Sequence, residues 1–354
     1  MPSALRASFA AAHPEIPLLS LDRPDLVESM VRSLGWLAPG EGVVECGKAG
    51  EGNMNLTVRV RTDRGRSVVV KQSRPWVEKY DAIAAPFDRA LVEKSFYQRV
   101  SRIPAVANAM PRLLGSDAGA RVLLLEDLGE AQDLAALYHR GELTLEEARA
   151  LGGYLRALHG ATRGQSRAGL ENREMRALNH EHIFEVPYRA ENGIDLEAYE
   201  PGLEDVARSL RDDVELRRLV AELGQRYLAD GPVLVHGDFF PGSWLRAGER
   251  IVVIDPEFCF FGDPEYDLGV AAAHLGLARQ ASWIGEELIL AAVDPGAEVG
   301  VDGSLVARYA GAEVIRRLIG VAQLPIAASG GFRASMLARA RVAILDGTLE
   351  AFRT

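Results

Sequence analysis

The first regular spacing along the chain is helical. Leu26, Met30 and Leu34 recur every four positions and Pro39-Gly40 closes the stretch, which predicts a helix over residues 24–37. The period then changes to two. In "LTVRVRT", Leu56, Val58 and Val60 face one way, and Thr57, Arg59 and Arg61 face the other. "DRG" supplies a turn and "SVVVKQ" follows, so these residues predict a hairpin. "GKAGEGNMN", just before it, reads as a polar loop with three glycines. "PFDRALVEKSFYQRV" reads as an amphipathic helix, and "RVLLLEDLG" as a buried strand that ends in acids and a glycine.

Beyond Gly129 the pattern is mostly helical. "LTLEEARALGGYLRALHG" begins at Thr144, a candidate N-cap with Glu147 three residues on, and ends at Gly160. Residues 203–229 and the tail from about residue 265 also carry helical spacing. Two short apolar runs interrupt, "VLVHGD" and "RIVVIDPE", and read as the two strands of one hairpin. No internal repeat is present. The expected organisation is a small sheet with a helix, residues 1–128, followed by a largely helical part, residues 129–354.

Composition narrows the function. Of 354 residues, 48% are hydrophobic and 25% charged, enough for a sizeable core. The formal net charge of −10 argues against nucleic acid or an anionic membrane as partner, but leaves room for an anionic small molecule in a local cationic pocket. Cys46 and Cys259 lie far apart and form no metal-ligand spacing, which suits two reduced thiols. The first residues do not form a signal peptide pattern, and no apolar run approaches the ~18 residues of a membrane helix. The expected location is cytoplasmic.

The acids at the ends of apolar runs carry the chemistry. In "HGDFFPGS", Asp238 follows a buried strand and Ser243 comes five residues later. In "IDPEF", Asp255 and Glu257 end the next one, and strand alternation would put both carboxylates on one side. Carboxylates so placed repel unless a cation lies between them, and hard oxygen donors favour Mg²⁺. Lys71 ends "SVVVK", where a buried ammonium needs a partner, and Glu93 on the following helix is a natural one. A snorkelling edge-strand lysine is the alternative. Gly-rich residues 47–55 could bring backbone amides close to phosphates, or form an ordinary loop. Together these are the parts phosphoryl transfer needs: a proton-accepting carboxylate, metal-binding oxygens, a lysine and a flexible loop.

Their order, from glycine loop through strand lysine, helix glutamate and "LEDLG" to "HGD" and "DPE", resembles the aminoglycoside phosphotransferase superfamily of protein-kinase-like enzymes. Within it the segments "GEGNMN", "VVVKQ", "HGDFFPGS", "VIDPEFCFFG" and "EVIRRLIG" are similar to those of the methylthioribose kinases. The resemblance implies an α+β, two-lobed protein-kinase-like fold with ATP in the cleft, the adenine on backbone atoms near Glu126 and Leu128. Gly50, Gly52, Asn53 and Asn55 would cover the phosphates, and Lys71, paired with Glu93, would hold them. Asp238 would take the proton of the acceptor hydroxyl. Asp255 and Glu257 would hold Mg²⁺, with Ser243 standing where the superfamily usually has Asn. Arg316 and Arg317 would contact a sugar, with methylthioribose or a related pentose as the implied acceptor. Asp267, at the start of the following helix, would brace the catalytic loop, with His236 as a support. An aminoglycoside or other small-alcohol kinase, and an inactive nucleotide-binding module, stand as alternatives. A homodimer is left open.

Overall fold

The computed structural model describes residues 3–353 except 51, 53, 140, 283–285, 294–299, 325 and 327–329; the side chains of 280–282 and 353 are also left aside. The chain is α+β and divides into two compact units, residues 1–130 and 131–354. Among the described residues no helix is long and apolar enough to cross a membrane.

The first unit runs α1 (Ala4–Ala12), α2 (Pro24–Ser33), β1 (Val43–Lys48), β2 (Leu56–Thr62), β3 (Ser67–Gln72), β4 (Trp76–Val77), β5 (Tyr80–Ala84), α3 (Arg89–Val100), α4 (Pro104–Ala107), β6 (Leu113–Asp117) and β7 (Val122–Glu126). The sheet has five antiparallel strands in the order β1-β2-β3-β7-β6. Val58 and Val60 on β2 meet Val70 and Val68 on β3, and one face of this pairing forms the core with Val122, Leu124 and α2. The expected helix over 24–37 is shorter. Pro24 starts it, and it ends at Ser33, because Gly35 turns the chain with φ 73°. Its inward face is Val27, Met30 and Val31, with Leu26 and Leu34 at the margin. The loop expected over 47–55 overlaps the end of β1, whose earlier residues carried no reading: β1 is an edge strand with an irregular register near its start and no buried side chain, so it carries no clear alternation.

The second unit runs β8 (Gln132–Asp133), α5 (Leu145–Thr162), α6 (Arg173–His180), α7 (Leu203–Asp212), α8 (Val214–Leu228), β9 (Val233–Val235), β10 (Trp244–Ala247), β11 (Arg250–Val253), β12 (Phe260–Gly262), α9 (Pro264–Ser282), α10 (Glu286–Val293), α11 (Gly303–Ile319), α12 (Phe332–Asp346) and α13 (Glu350–Arg353). Thr144 caps α5 as expected: its hydroxyl accepts from Glu147 N–H and the Glu147 carboxylate accepts from Thr144 N–H. Asp213 divides the helical run 203–229, capping α8 through Leu216 N–H. α11 packs between α9 and α12 and is buried along almost its whole length.

The hairpin expected from "VLVHGD" and "RIVVIDPE" does not form. β9 pairs with β12, while β11 pairs with β10, which in turn pairs with β8. All three pairings are antiparallel, so a two-stranded and a three-stranded sheet of short strands hold the loops that carry the acids. The apolar runs alone could not distinguish these pairings, because "SWLRA" and "FCFFG" are themselves competent strands.

Candidate active site

Each unit carries its own group of buried charges. In the first, Lys71 sits on β3 opposite Thr57 of β2 and Leu123 of β7, in the middle of the sheet. Its ammonium is 2.7–2.9 Å from the two carboxylate oxygens of Glu93, and both side chains are almost wholly buried. The pairing follows from α3: Arg89 and Glu93, one turn apart, lie on its inward face with Phe96, Tyr97 and Val100. Arg89 anchors the end of the glycine-rich loop. Its guanidinium donates to Asn55 Oδ1 at 3.0 Å, Met54 O at 2.7 Å and Arg74 O at 2.6 Å. Gly50 has φ 85°, a backbone only glycine adopts readily, while Gly52 has none of this requirement. Asn53 lies outside the described residues. Glu126 ends β7 and its N–H donates to Arg112 O at 2.9 Å. Leu128 follows, half-buried, beside Asp127, which accepts from Arg59 Nε and Gly129 N–H.

In the second unit the "HGD" loop is held from below by Asp267, near the start of α9. The Asp267 carboxylate accepts from His236 N–H at 2.7 Å and Gly237 N–H at 3.0 Å, and it meets His159 Nε2 at 2.9 Å. Gly237 has φ 86°, and a Cβ there would lie 2.1 Å from Phe258 O, so no other residue fits without moving the loop. His236 Nε2 is 3.0 Å from Ile254 O, tying this loop to the one that carries the other acids. Asp255 has φ 61°, a left-handed conformation, and starts a 3₁₀ turn at Pro256–Phe258. The expectation that strand alternation aligns Asp255 and Glu257 is therefore replaced: the chain has left β11 before either acid, and the turn sets their directions. Asn172, itself left-handed, donates to Glu257 O at 2.8 Å and Cys259 O at 2.9 Å and fixes that turn. Ser243 is buried just ahead of β10; its carbonyl accepts from Ile254 N–H at 3.0 Å, so the two loops run side by side.

Asp238 faces α11. Its Oδ1 accepts from Arg317 Nη2 at 3.3 Å, and the Arg317 guanidinium stacks over the Phe240 ring at 4.8 Å. The side chain keeps 20% of its surface, yet its pKa is pushed up to about 6. Burial is the main cause; Arg317 and Arg316 pull it down, and Glu313 and Glu257 push it up. Glu313 is the residue that sequence reasoning missed. It lies one turn before the two arginines and meets both, Arg317 Nε at 2.6 Å and Arg316 Nη1 at 3.1 Å. His274 Nε2 of α9 meets the same oxygen as Arg317, at 3.0 Å. Burial works to raise the Glu313 pKa, but the arginines and His274 hold it well below the usual carboxylate range. "AEVIRRLIG" held the signal, since an acid at i beside cations at i+3 and i+4 shares one helix face. Arg316 Nε is buried and, among the described residues, has no hydrogen-bond partner. Arg316 also bears on His182, whose pKa is lowered first by burial and then by that guanidinium.

Among the described residues, no cluster of three or more His, Cys, Asp and Glu side chains could alone enclose a metal ion. Mg²⁺ is commonly held by one or two carboxylates plus phosphate oxygens and water. Asp255, Glu257 and Ser243 offer only hard oxygen ligands, and Glu257 is buried with its backbone pinned by Asn172.

The family described as "Phosphotransferase enzyme family" (APH) matches residues 45–298. Methylthioribose kinase from Exiguobacterium sibiricum is 28% identical over 259 residues, 70% of this chain and 64% of that protein. The methylthioribose kinase from Yersinia pseudotuberculosis is 30% identical over 264 residues, 71% of this chain and 63% of that one. The chain thus spans just under two thirds of the length of these relatives. Among solved structures, LicA in complex with AMP superposes with a TM-score of 0.51 at 16% identity, covering 91% of this chain and 98% of LicA. The choline kinase LicA from Streptococcus pneumoniae superposes at 0.50 with 13% identity, covering 92% and 99%. At that identity the likeness concerns the fold, which is the two-part α+β arrangement of protein-kinase-like phosphotransferases.

Proposed function

Because the chain belongs to the phosphotransferase enzyme family, we propose that it is an ATP-dependent kinase of a small neutral sugar, with methylthioribose or a related pentose as acceptor. Lys71, braced by Glu93, holds phosphate oxygens of ATP, under a loop comprising Gly50, Gly52, Asn53 and Asn55. The adenine lies against backbone atoms near Glu126 and Leu128. Asp255 and Glu257, with Ser243 beside them, hold Mg²⁺. When bound, the ion neutralises charge on the transferring phosphate. Asp238 takes the proton from the acceptor hydroxyl as that oxygen forms a bond to the γ-phosphorus and ADP leaves with the bridging oxygen.

The observation that carries this reading is the state of Asp238. A carboxylate raised to about 6 and still held by a guanidinium is ionised at neutral pH and basic enough to accept a proton, which is the condition for general-base catalysis. The methylthioribose kinases among the relatives support a sugar as acceptor. The charges beside Asp238 support the same class. An aminoglycoside is a polycation, and Arg316 and Arg317 would repel it while Glu313 is already taken up by those arginines. The unpartnered Arg316 Nε calls instead for an acceptor atom such as a hydroxyl oxygen.

The test is nucleotide consumption with ATP and Mg²⁺ over methylthioribose, other pentoses, small alcohols and aminoglycosides. A neutral pentose should be the best acceptor. In Arg316→Ala, kcat/KM for that acceptor should fall by roughly ten-fold or more, the loss of one charged-donor hydrogen bond, while the KM for ATP stays near wild type. Turnover of aminoglycosides alone would overturn the acceptor assignment. Nucleotide binding without consumption on any acceptor would favour an inactive binding module.

A further inference from the structure

We propose that Glu313 is a positioning residue for the transfer step: it holds the Arg317 guanidinium against Asp238, and His274 and Tyr138 hold Glu313 in turn. The inference rests on the reading of Asp238 as the proton acceptor. The geometry is a chain of four contacts. Tyr138, in the 3₁₀ turn Ala135–Tyr138, meets His274 Nδ1 at 2.5 Å. His274 Nε2 meets Glu313 Oε1 at 3.0 Å, Arg317 Nε donates to the same oxygen at 2.6 Å, and Arg317 Nη2 donates to Asp238 at 3.3 Å. An ionised carboxylate only accepts, so His274 carries its proton on Nε2 and its Nδ1 accepts the Tyr138 hydroxyl proton. Donors therefore converge on Glu313 from His274 and from Arg317 Nε, and the Arg317 Nη2 so placed donates onward to Asp238.

The guanidinium is planar and its nitrogens are fixed relative to one another. Once Nε is pinned by Glu313 and the plane lies on Phe240, the position of Nη2 is set. Phe240 also packs against the His274 ring, with centroids 5.3 Å apart, so the same ring steadies two members of the chain. Arg316 fills the remaining Glu313 oxygen, which stops the carboxylate from rotating away. A purely structural account is less economical. Burying a carboxylate and two guanidiniums costs more desolvation than an apolar core of the same volume, and their buried neighbours on α11, Val314, Ile315, Leu318 and Ile319, are apolar. The charged members gather at the one end of this helix that reaches Asp238.

The experiment is a double-mutant cycle on the best acceptor found, using wild type, Glu313→Gln, Arg317→Met and the double variant, each checked for cooperative thermal unfolding. Glu313→Gln should lower kcat by roughly ten- to hundred-fold, the scale of a displaced positioning group, with the KM for ATP little changed. In the Arg317→Met background the same change should cost no more than about two-fold, because the partner it acts through is gone. His274→Asn keeps the Glu313–arginine contacts and should give a smaller loss of kcat that also disappears in that background. An equal loss in both backgrounds, or no loss of kcat in Glu313→Gln, overturns the proposal. NMR of the Arg317 Nε–H, assigned with Arg317→Met, reads the brace without turnover: a protected signal in wild type should lose protection in Glu313→Gln. If wild type phosphorylates no acceptor, the kinase reading fails while this signal still decides the brace; an unchanged signal overturns it.

Discussion

The two units bury charge in different ways. On β3 and α3, one ammonium meets one carboxylate, Lys71 with Glu93, and sheet and helix fix both ends. Around Asp238, two carboxylates, two guanidiniums and an imidazole share contacts, and the fate of any one depends on the others. Removing one member of a buried pair takes away the opposite charge that its partner faces. A web can lose one member and redistribute. The pair suits a rigid hold on something that binds, and the web suits a group whose proton affinity must be set between limits.

The largest expected effect is on turnover. Asp238→Asn preserves shape and removes the proton acceptor, and should lower kcat by at least ~10²-fold, within the ~10²–10⁴ span of general-base catalysis. ATP binding should stay within a few-fold, as measured by nucleotide titration. Near wild-type turnover would remove Asp238 from the mechanism and leave the comparison without its second half.

Next is stability, where the two regions should part most clearly. Lys71→Met removes the ammonium that faces the buried Glu93 carboxylate and should cost ~3–5 kcal/mol in denaturant unfolding. The double change Lys71→Met with Glu93→Leu should recover much of it. If Lys71→Met alone is nearly neutral, Glu93 does not depend on the Lys71 ammonium for its burial.

A smaller effect carries a definite sign with pH. The Asp238 pKa rises from its ordinary value to about 6 on folding, so between roughly pH 4 and 6 the folded state holds the proton more tightly than the unfolded one. That contribution to stability is fully present below the unfolded pKa and is lost as pH rises through 6. Asp238→Asn should therefore be more stable relative to wild type at pH 8 than at pH 5, read as the difference in melting temperature. The opposite trend would mean that the arginines outweigh burial at Asp238. The smallest effect is on metal: Glu257→Ala should raise the Mg²⁺ concentration for half-maximal activity by removing one hard ligand. An unchanged midpoint would return Glu257 to a structural role and turn attention to Ser243.

Much of the first unit could be read from the chain because its signals are local. The alternation of β2 and the pairing of Lys71 on β3 with Glu93 on α3 survive into the structure. β1 escaped because it is an edge strand whose inward residues, Val43 and Cys46, are only partly buried and do not alternate cleanly. In the second unit the acids were legible as types and their surroundings were not. Strand alternation gave the wrong reason for the placement of Asp255, whose left-handed backbone no periodicity announces. Pairing of β9 with β12 depends on contacts across many residues that several apolar runs could satisfy. Glu313 was hidden because α11 is buried all round, so its charged face does not stand out against a polar one. Its link to Asp238 joins residues far apart in sequence and exists only once α9 and α11 pack.

Asp238 is held basic by burial against the pull of two arginines. The most direct measurement is the titration of its side-chain carboxyl by ¹³C NMR, without nucleotide or metal, with the signal assigned by its loss in Asp238→Asn. The midpoint should lie near 6 and move upward in Arg317→Met, where one of the two opposing charges is gone. A midpoint in the ordinary aspartate range near ~4, unmoved by Arg317→Met, would contradict it.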